Sequence, residues 1–282
     1  MLLSDVSSRS FYQVFAGIGL LLGGLFCQLA QASEAKPLFS IRPLAILYAE
    51  LTNQQLDESQ VLLSASSNVH DYQFSIADLK RIQSASTFYW LGAEAEPKLA
   101  KLAANYPNSA WVSLQQQTHA WLGMQQQLEL IDSLATQLAQ QTPSQAEQIM
   151  QRKMRLVAEL QTQYQNAAAQ FSRDTQVVLL HSAFAQWLRD LSLPEPLYIS
   201  QSSSHGHHHQ GEKQNLSVQQ RLANGEVACV VEEPDMQLTQ LKRKFPKLGF
   251  IKLSPMAAQA ELAPGEWLQY WHRNTMALKT CI

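Results

Sequence analysis

One stretch limits the folds open to this chain more than any other. From Trp121 to about Phe171 the sequence is rich in Gln, Ala, Leu, Glu and Lys, interrupted once by Thr142-Pro143-Ser144. Pro143 suits the first turn of a new helix, with Thr142 as its cap. Glu147 to Phe171 then reads as one helix of about 25 residues, roughly 37 Å long at about 1.5 Å per residue. That is longer than an ordinary domain helix. Its apolar positions Ile149, Met154, Val157, Leu160 and Tyr164 do not hold a heptad long enough for a coiled coil. The helix is therefore expected to act as a spine between two lobes.

On both sides of it the pattern alternates. Before it, Leu38 to Ile41, Val61 to Leu63, Phe88 to Leu91 and Trp111 to Leu114 read as short strands. Helices fall between them, one opened by Arg42-Pro43, one capped by Ser75, and one over Glu96 to Ala104. After it, strands over Gln176–Leu180, Leu197–Ile199, Glu226–Val231 and Phe250–Leu253 alternate with helices over Ala183–Leu191, Leu216–Leu222, Asp235–Phe245 and Glu266–Lys279. Strands alternating with helices imply βαβ units and parallel sheets. The expected fold is α/β: two α/β lobes with mainly parallel sheets joined by a long backbone helix. The expected division is 33–142 for the first lobe, 143–171 for the linking helix and 172–282 for the second lobe.

Residues 1–32 are read as a signal peptide. Arg9 precedes an apolar run from Val14 to Leu29, and Ala30-Gln31-Ala32 fits a small-x-small cleavage site, placing cleavage near Ala32. The alternative is an uncleaved anchor, since the run is marginally long enough to span a bilayer. The reading implies export to the periplasm. The 21 basic and 23 acidic residues leave no basic footprint for nucleic acid. A monomer is expected. Losing the signal removes Cys27 and leaves Cys229 and Cys281, a pair that in an oxidising compartment most simply forms one disulfide.

Three single histidines stand at comparable places. His70 follows the Val61 strand, His119 lies beyond the Trp111 strand, and His181 directly ends the Gln176 strand. Open α/β sheets bind ligands at the carboxyl ends of their strands. A lone histidine is more often a packed or surface residue, but three in such places, from both lobes, point to a shared ion. Three imidazoles suit zinc, with a fourth position left to water or carboxylate.

These residues also carry a resemblance. Ile41-Arg42-Pro43-Leu44, Asn68-Val69-His70-Asp71-Tyr72, Ser75 to Ala85, Tyr89-Trp90-Leu91-Gly92, His119-Ala120-Trp121-Leu122, His181 with Ala183-Phe184, and Glu233-Pro234 appear in order. The chain resembles the periplasmic metal-binding proteins of ABC importers, most closely the zinc-specific ZnuA type, over essentially its whole mature length. The resemblance implies that His70, His119 and His181 hold Zn2+ as cargo between two lobes. It further implies an ABC permease and its ATPase as partners, and it likens Cys229–Cys281 to the zinc-type disulfide.

The sequence departs from that pattern in places. Where many relatives carry an acidic fourth ligand before a proline, this chain has Ser254-Pro255; Ser182 and Thr118 replace an aspartate and a proline beside two of the histidines. An aspartate next to a ligating imidazole orients it, so its loss loosens the site. Missing the carboxylate argues against manganese, which prefers oxygen donors. A second cluster, His205, His207, His208 and His209, is read as an auxiliary collector of zinc in a polar loop, or else as a solvated loop of no function. His272 is read as structural or exposed.

The leading function is high-affinity capture of periplasmic zinc and delivery to a membrane importer. The alternatives are a divergent relative with altered metal choice or a zinc chaperone role and, as a lesser one, a zinc hydrolase or lyase. The last lacks a motif placing a general base, such as a His-Glu-x-x-His helix, so no enzyme is expected.

Overall fold

The computed structural model describes residues 35–65, 67, 72–107, 110–199, 217–232 and 238–281. The expected signal segment, His70 and the 205–209 histidines lie outside them. Ala35 and Lys36 are exposed coil, and Pro37–Ile282 form one compact unit.

The first sheet has three parallel strands: β1 (Leu38–Phe39), β2 (Phe88–Trp90) and β3 (Trp111–Ser113), in that spatial order. Phe39 pairs with Tyr89, and Tyr89 with Val112. The expected strand at Val61–Leu63 shrinks to a single parallel bridge, Val61 to Phe39, on the free side of β1. Its chain turns away after Leu62 and Leu63 donate to the Phe39 and Ser40 carbonyls at 2.8 and 3.1 Å.

Local chemistry sets the helices. Helix α1 (Arg42–Thr52) starts with proline in its first turn and ends at Asn53, whose φ of 58° closes it in the left-handed region. Helix α2 (Ile76–Ser84) opens with a capping box: the Ser75 hydroxyl accepts from Asp78 N–H at 3.1 Å, and Asp78 accepts from Ser75 N–H at 2.9 Å. Helix α3 (Pro97–Asn105) completes this lobe.

Helices α4 (Met124–Gln141) and α5 (Ala146–Ala168) form a hairpin through a 3-10 turn at Pro143–Gln145. Pro143 thus sits in the turn rather than in the long helix, and Thr142 makes no side-chain cap. The buried stripe of α4, Leu130, Ile131, Leu134, Ala135 and Leu138, follows helical spacing. On α5 the buried stripe is Ile149, Leu156, Leu160, Tyr164 and Ala167, whereas Met154, another of its apolar positions, is 62% exposed.

The second sheet is again parallel, in the order β5 (Leu197–Tyr198), β4 (Val177–Leu179), β6 (Cys229–Glu232), β7 (Gly249–Lys252). Between these strands lie α6 (Ala185–Asp190), the helical run α7 (217–223) and α8 (Thr239–Lys244). Of the helix read over Asp235–Phe245, only the part from Thr239 is helical among the described residues. The final helix α9 (Glu266–Lys279) matches its expected span. Cys229 is bonded to Cys281 just past α9, with Cα atoms 5.5 Å apart. The architecture is therefore two α/β lobes on a long helix.

The lobes share one continuous apolar core that runs from Phe39 and Leu47 through Leu134 and Leu160 to Trp187, Trp267 and Trp271. Polar contacts reinforce it. The buried Arg42 guanidinium donates to the Ala257 carbonyl at 3.1 Å and also to the Ala260 carbonyl, and it pairs with Glu58. Leu56 N–H reaches the Leu262 carbonyl at 2.9 Å. The segment after β7 is thereby fastened to the elements that carry β1 and α1.

Candidate metal centre

Strand order fixes where a ligand can sit. In the second sheet the chain goes from β4 to β5 on one side, then to β6 on the other. The carboxyl end of β4 is therefore a topological switch point, where flanking connections part and leave a crevice. His181 stands there, two residues past β4, with extended backbone, and leads the 3-10 turn Ser182–Phe184 into α6.

His119 arrives from the other lobe. The loop after β3 is tied down by Leu114 N–H to the Trp90 carbonyl at 3.0 Å and Gln116 N–H to the Leu91 carbonyl at 2.7 Å. Two non-glycine residues in it, Gln115 and His119, have positive φ of 53° and 60°. Such conformations cost of order 1 kcal/mol each and persist where surrounding contacts impose them. His119 is held by a hydrogen bond from Leu122 N–H to its carbonyl at 2.9 Å.

The two imidazoles meet. Their ring centroids lie 5.1 Å apart with planes at 89°, and both residues are half-buried. On its other side His119 packs edge-on against Trp121, at 5.6 Å. The buried Trp121 indole donates to the Pro255 carbonyl at 2.6 Å, which brings the Ser254-Pro255 loop beside the pair. The Ser254 hydroxyl accepts from Ala258 N–H at 2.8 Å, and its carbonyl accepts from the Tyr270 hydroxyl at 2.9 Å. Ser254 thus works as a loop fastener.

Of the three expected ligands, the structure brings His119 and His181 together. His70 lies outside the described residues, but the chain that leaves its loop is anchored: the Tyr72 hydroxyl donates to Asp78 at 3.0 Å, and Lys98 reaches the Tyr72 carbonyl at 3.2 Å. Burial works against the Asp78 carboxylate, yet hydrogen bonds from Ser75 and Tyr72 and the nearby Arg81 hold it below its ordinary range. Ser182, at the position of a missing aspartate, is exposed. His272 is exposed on α9, as read. Among the described residues no group of three or more His, Cys, Asp or Glu side chains forms a complete metal cage.

Beside His119 opens a cleft of about 310 Å³ whose lining includes Thr118, Gly123, Ser182, Gln186 and Tyr198. Asp190 links two of its lining segments, accepting from Met124 N–H at 2.6 Å, next to Gly123 at the start of α4, and from Gln186 at 2.8 Å. A Cβ on Gly123 would come within 2.5 Å of the Gln186 side chain, so glycine permits this close packing.

Sequence reasoning missed one acid, Glu96. It is 4% exposed, and one oxygen accepts from Leu91 N–H at 2.7 Å and the Ser40 hydroxyl at 3.0 Å. Burial pushes its pKa up to about 7, opposed by those two donors. The signal available was an acidic residue directly ahead of Pro97, shortly after the apolar run Phe88-Tyr89-Trp90-Leu91.

Two lobes with parallel sheets on a long helix have the architecture of substrate-binding proteins, and the family whose model the chain matches is one of such proteins and not of enzymes. The chain belongs to the family described as zinc-uptake complex component A, periplasmic, whose model matches residues 38–281. The high-affinity zinc uptake system protein ZnuA of Yersinia pestis is 31% identical over 84 residues, and the match spans 30% of this chain and about a quarter (26%) of that protein. A crystal structure of ZnuA superposes with a TM-score of 0.69 at 19% identity, covering 88% of this chain and 99% of that one. The substrate-binding protein FpvC of Pseudomonas aeruginosa, solved with Mn2+, gives 0.67 at 17% identity, covering 88% and 98%. At these identities the superpositions speak for the fold. No helix among the described residues is long and apolar enough to cross a membrane.

Proposed function

We propose that this protein captures Zn2+ in the periplasm with His70, His119 and His181 and delivers it to an ABC-type permease driven by its ATPase. One observation carries the reading: the imidazoles of His119 and His181, from different lobes, stand 5.1 Å apart and at right angles. Zinc–nitrogen bonds of about 2.0–2.1 Å put each ring centroid roughly 3.1 Å from the ion, and a tetrahedral angle then separates two centroids by about 5 Å. The observed spacing suits one shared ion. Export through a signal peptide cleaved near Ala32 accompanies the proposal, as does a monomeric carrier.

The metal is the finer point. An imidazole set favours zinc over manganese, which prefers oxygen donors. FpvC, whose structure holds Mn2+, keeps altered metal choice as the second reading. Titrating metal-stripped protein with Zn2+, Mn2+ and Ni2+ separates them: zinc is expected to bind tightest. Tighter binding of manganese would favour the second reading. In this account His205, His207, His208 and His209 gather zinc at low affinity. Their deletion should leave the tight site's affinity unchanged and remove weaker stoichiometric equivalents.

A further inference from the structure

Glu96 stands where the first sheet changes direction. Val61 and β2 flank β1 on opposite sides, so the carboxyl end of β1 is this sheet's switch point. Ser40, the residue after β1, and Leu91, the residue after β2, both donate to the same Glu96 oxygen, at 3.0 and 2.7 Å. Two backbone bonds carry this node outward. The Leu91 carbonyl accepts from Gln116 N–H at 2.7 Å, at the base of the loop leading to His119. The Ser40 carbonyl accepts from Leu63 N–H at 3.1 Å, where the chain departs towards His70.

The packing around the node is tight. Gly92 has φ of 123°, and a Cβ there would lie 3.0 Å from the Gln115 backbone, so glycine lets the His119 loop close over the end of β2. Apolar filling would serve packing better than an acid does, because a buried carboxyl with few donors is costly. The other Glu96 oxygen meets no hydrogen-bond partner among the described residues, and the groups acting on the carboxyl are the Leu91 amide and the Ser40 hydroxyl.

We infer that Glu96 is a positioning residue for metal capture: one buried acid holds the ends of β1 and β2, and through them the starts of both histidine-bearing loops of the first lobe. Only its affinity readout rests on the zinc reading above. A glutamine at this position keeps an oxygen for the same two donors, whereas alanine removes it.

The test compares backbone hydrogen exchange in the metal-free mature protein with that of Glu96→Ala and Glu96→Gln. In Glu96→Ala the amides of Leu63, Leu91 and Gln116 should exchange about ten-fold faster or more, with β4 and β6 unchanged. Glu96→Gln should return them to within about three-fold of the parent. Zinc affinity should follow, with about a ten-fold loss in the alanine variant that glutamine restores. Unchanged exchange at those three amides, or acceleration spread evenly over both sheets, would overturn the inference. So would parental zinc affinity in a folded Glu96→Ala when the parent itself binds zinc tightly; a parent that does not would instead overturn the zinc reading. Should Glu96→Ala fail to fold, Ser40→Ala takes its place: local acceleration at Leu91 and Gln116 supports the role, and none overturns it. The exchange readout needs no metal, so it decides whether Glu96 holds the two loop starts even if zinc is not the cargo.

Discussion

The indole N–H of Trp121 reaches the carbonyl of Pro255, 134 positions away in sequence, at 2.6 Å. The bond joins the His119 turn to the loop after β7. Because His119 packs edge-on against the same indole, the bond also sets the place of one imidazole of the pair.

Trp121→Phe keeps a ring beside His119 and deletes the donor. Leaving the Pro255 carbonyl without its partner should cost about 1–3 kcal/mol, read as a lower urea midpoint at constant slope. Trp121→Ala should cost about 3–5 kcal/mol through the cavity it opens. Equal midpoints for Trp121→Phe and the parent would show that the bond contributes nothing.

Glu96 gives stability a pH dependence of known sign. Its pKa is raised from 4.5 to about 7 in the folded protein, so its contribution is full below 4.5 and is lost as pH rises through about 7. At about 1.4 kcal/mol per pKa step the loss is about 3 kcal/mol. Urea midpoints of the metal-free protein, measured from pH 5 to 8, should fall relative to Glu96→Gln across that window. Parallel profiles for the two proteins would contradict the assignment.

The Cys229–Cys281 bond closes a loop with a sequence separation of 52 residues. Chain-entropy reasoning gives about 4 kcal/mol for such a loop, less any native strain. Cys229→Ser with Cys281→Ser should lower stability by roughly that amount, and a reductant should destabilise the parent towards the double variant. A parent insensitive to reductant in urea would speak against a stabilising bond.

Much of this was legible because periodicity and capping are local. Ser75 marked the start of α2, and Arg42-Pro43 marked the start of α1. Local signals were weaker where tertiary contacts decide. Val61–Leu63 has the composition of a strand, yet it bridges one residue before its chain turns away. Met154 fits the apolar stripe of α5 but faces outward, because the helix buries only the side facing α4, α1 and α9. At the site, His119 and His181 were readable from their places after strands. That their rings meet, that Ser254 fastens its own loop and that Glu96 ties two strand ends depend on contacts between residues far apart in sequence.

The central claim is tested most directly by zinc titration of the metal-stripped mature protein and of His70→Ala, His119→Ala and His181→Ala. A site worth about 10–16 kcal/mol over four ligands loses about 3 kcal/mol with each, roughly a hundred-fold in affinity. Each variant is expected to keep its fold by circular dichroism and to bind zinc about a hundred-fold more weakly than the parent. Tight zinc binding that survives all three substitutions would contradict the account.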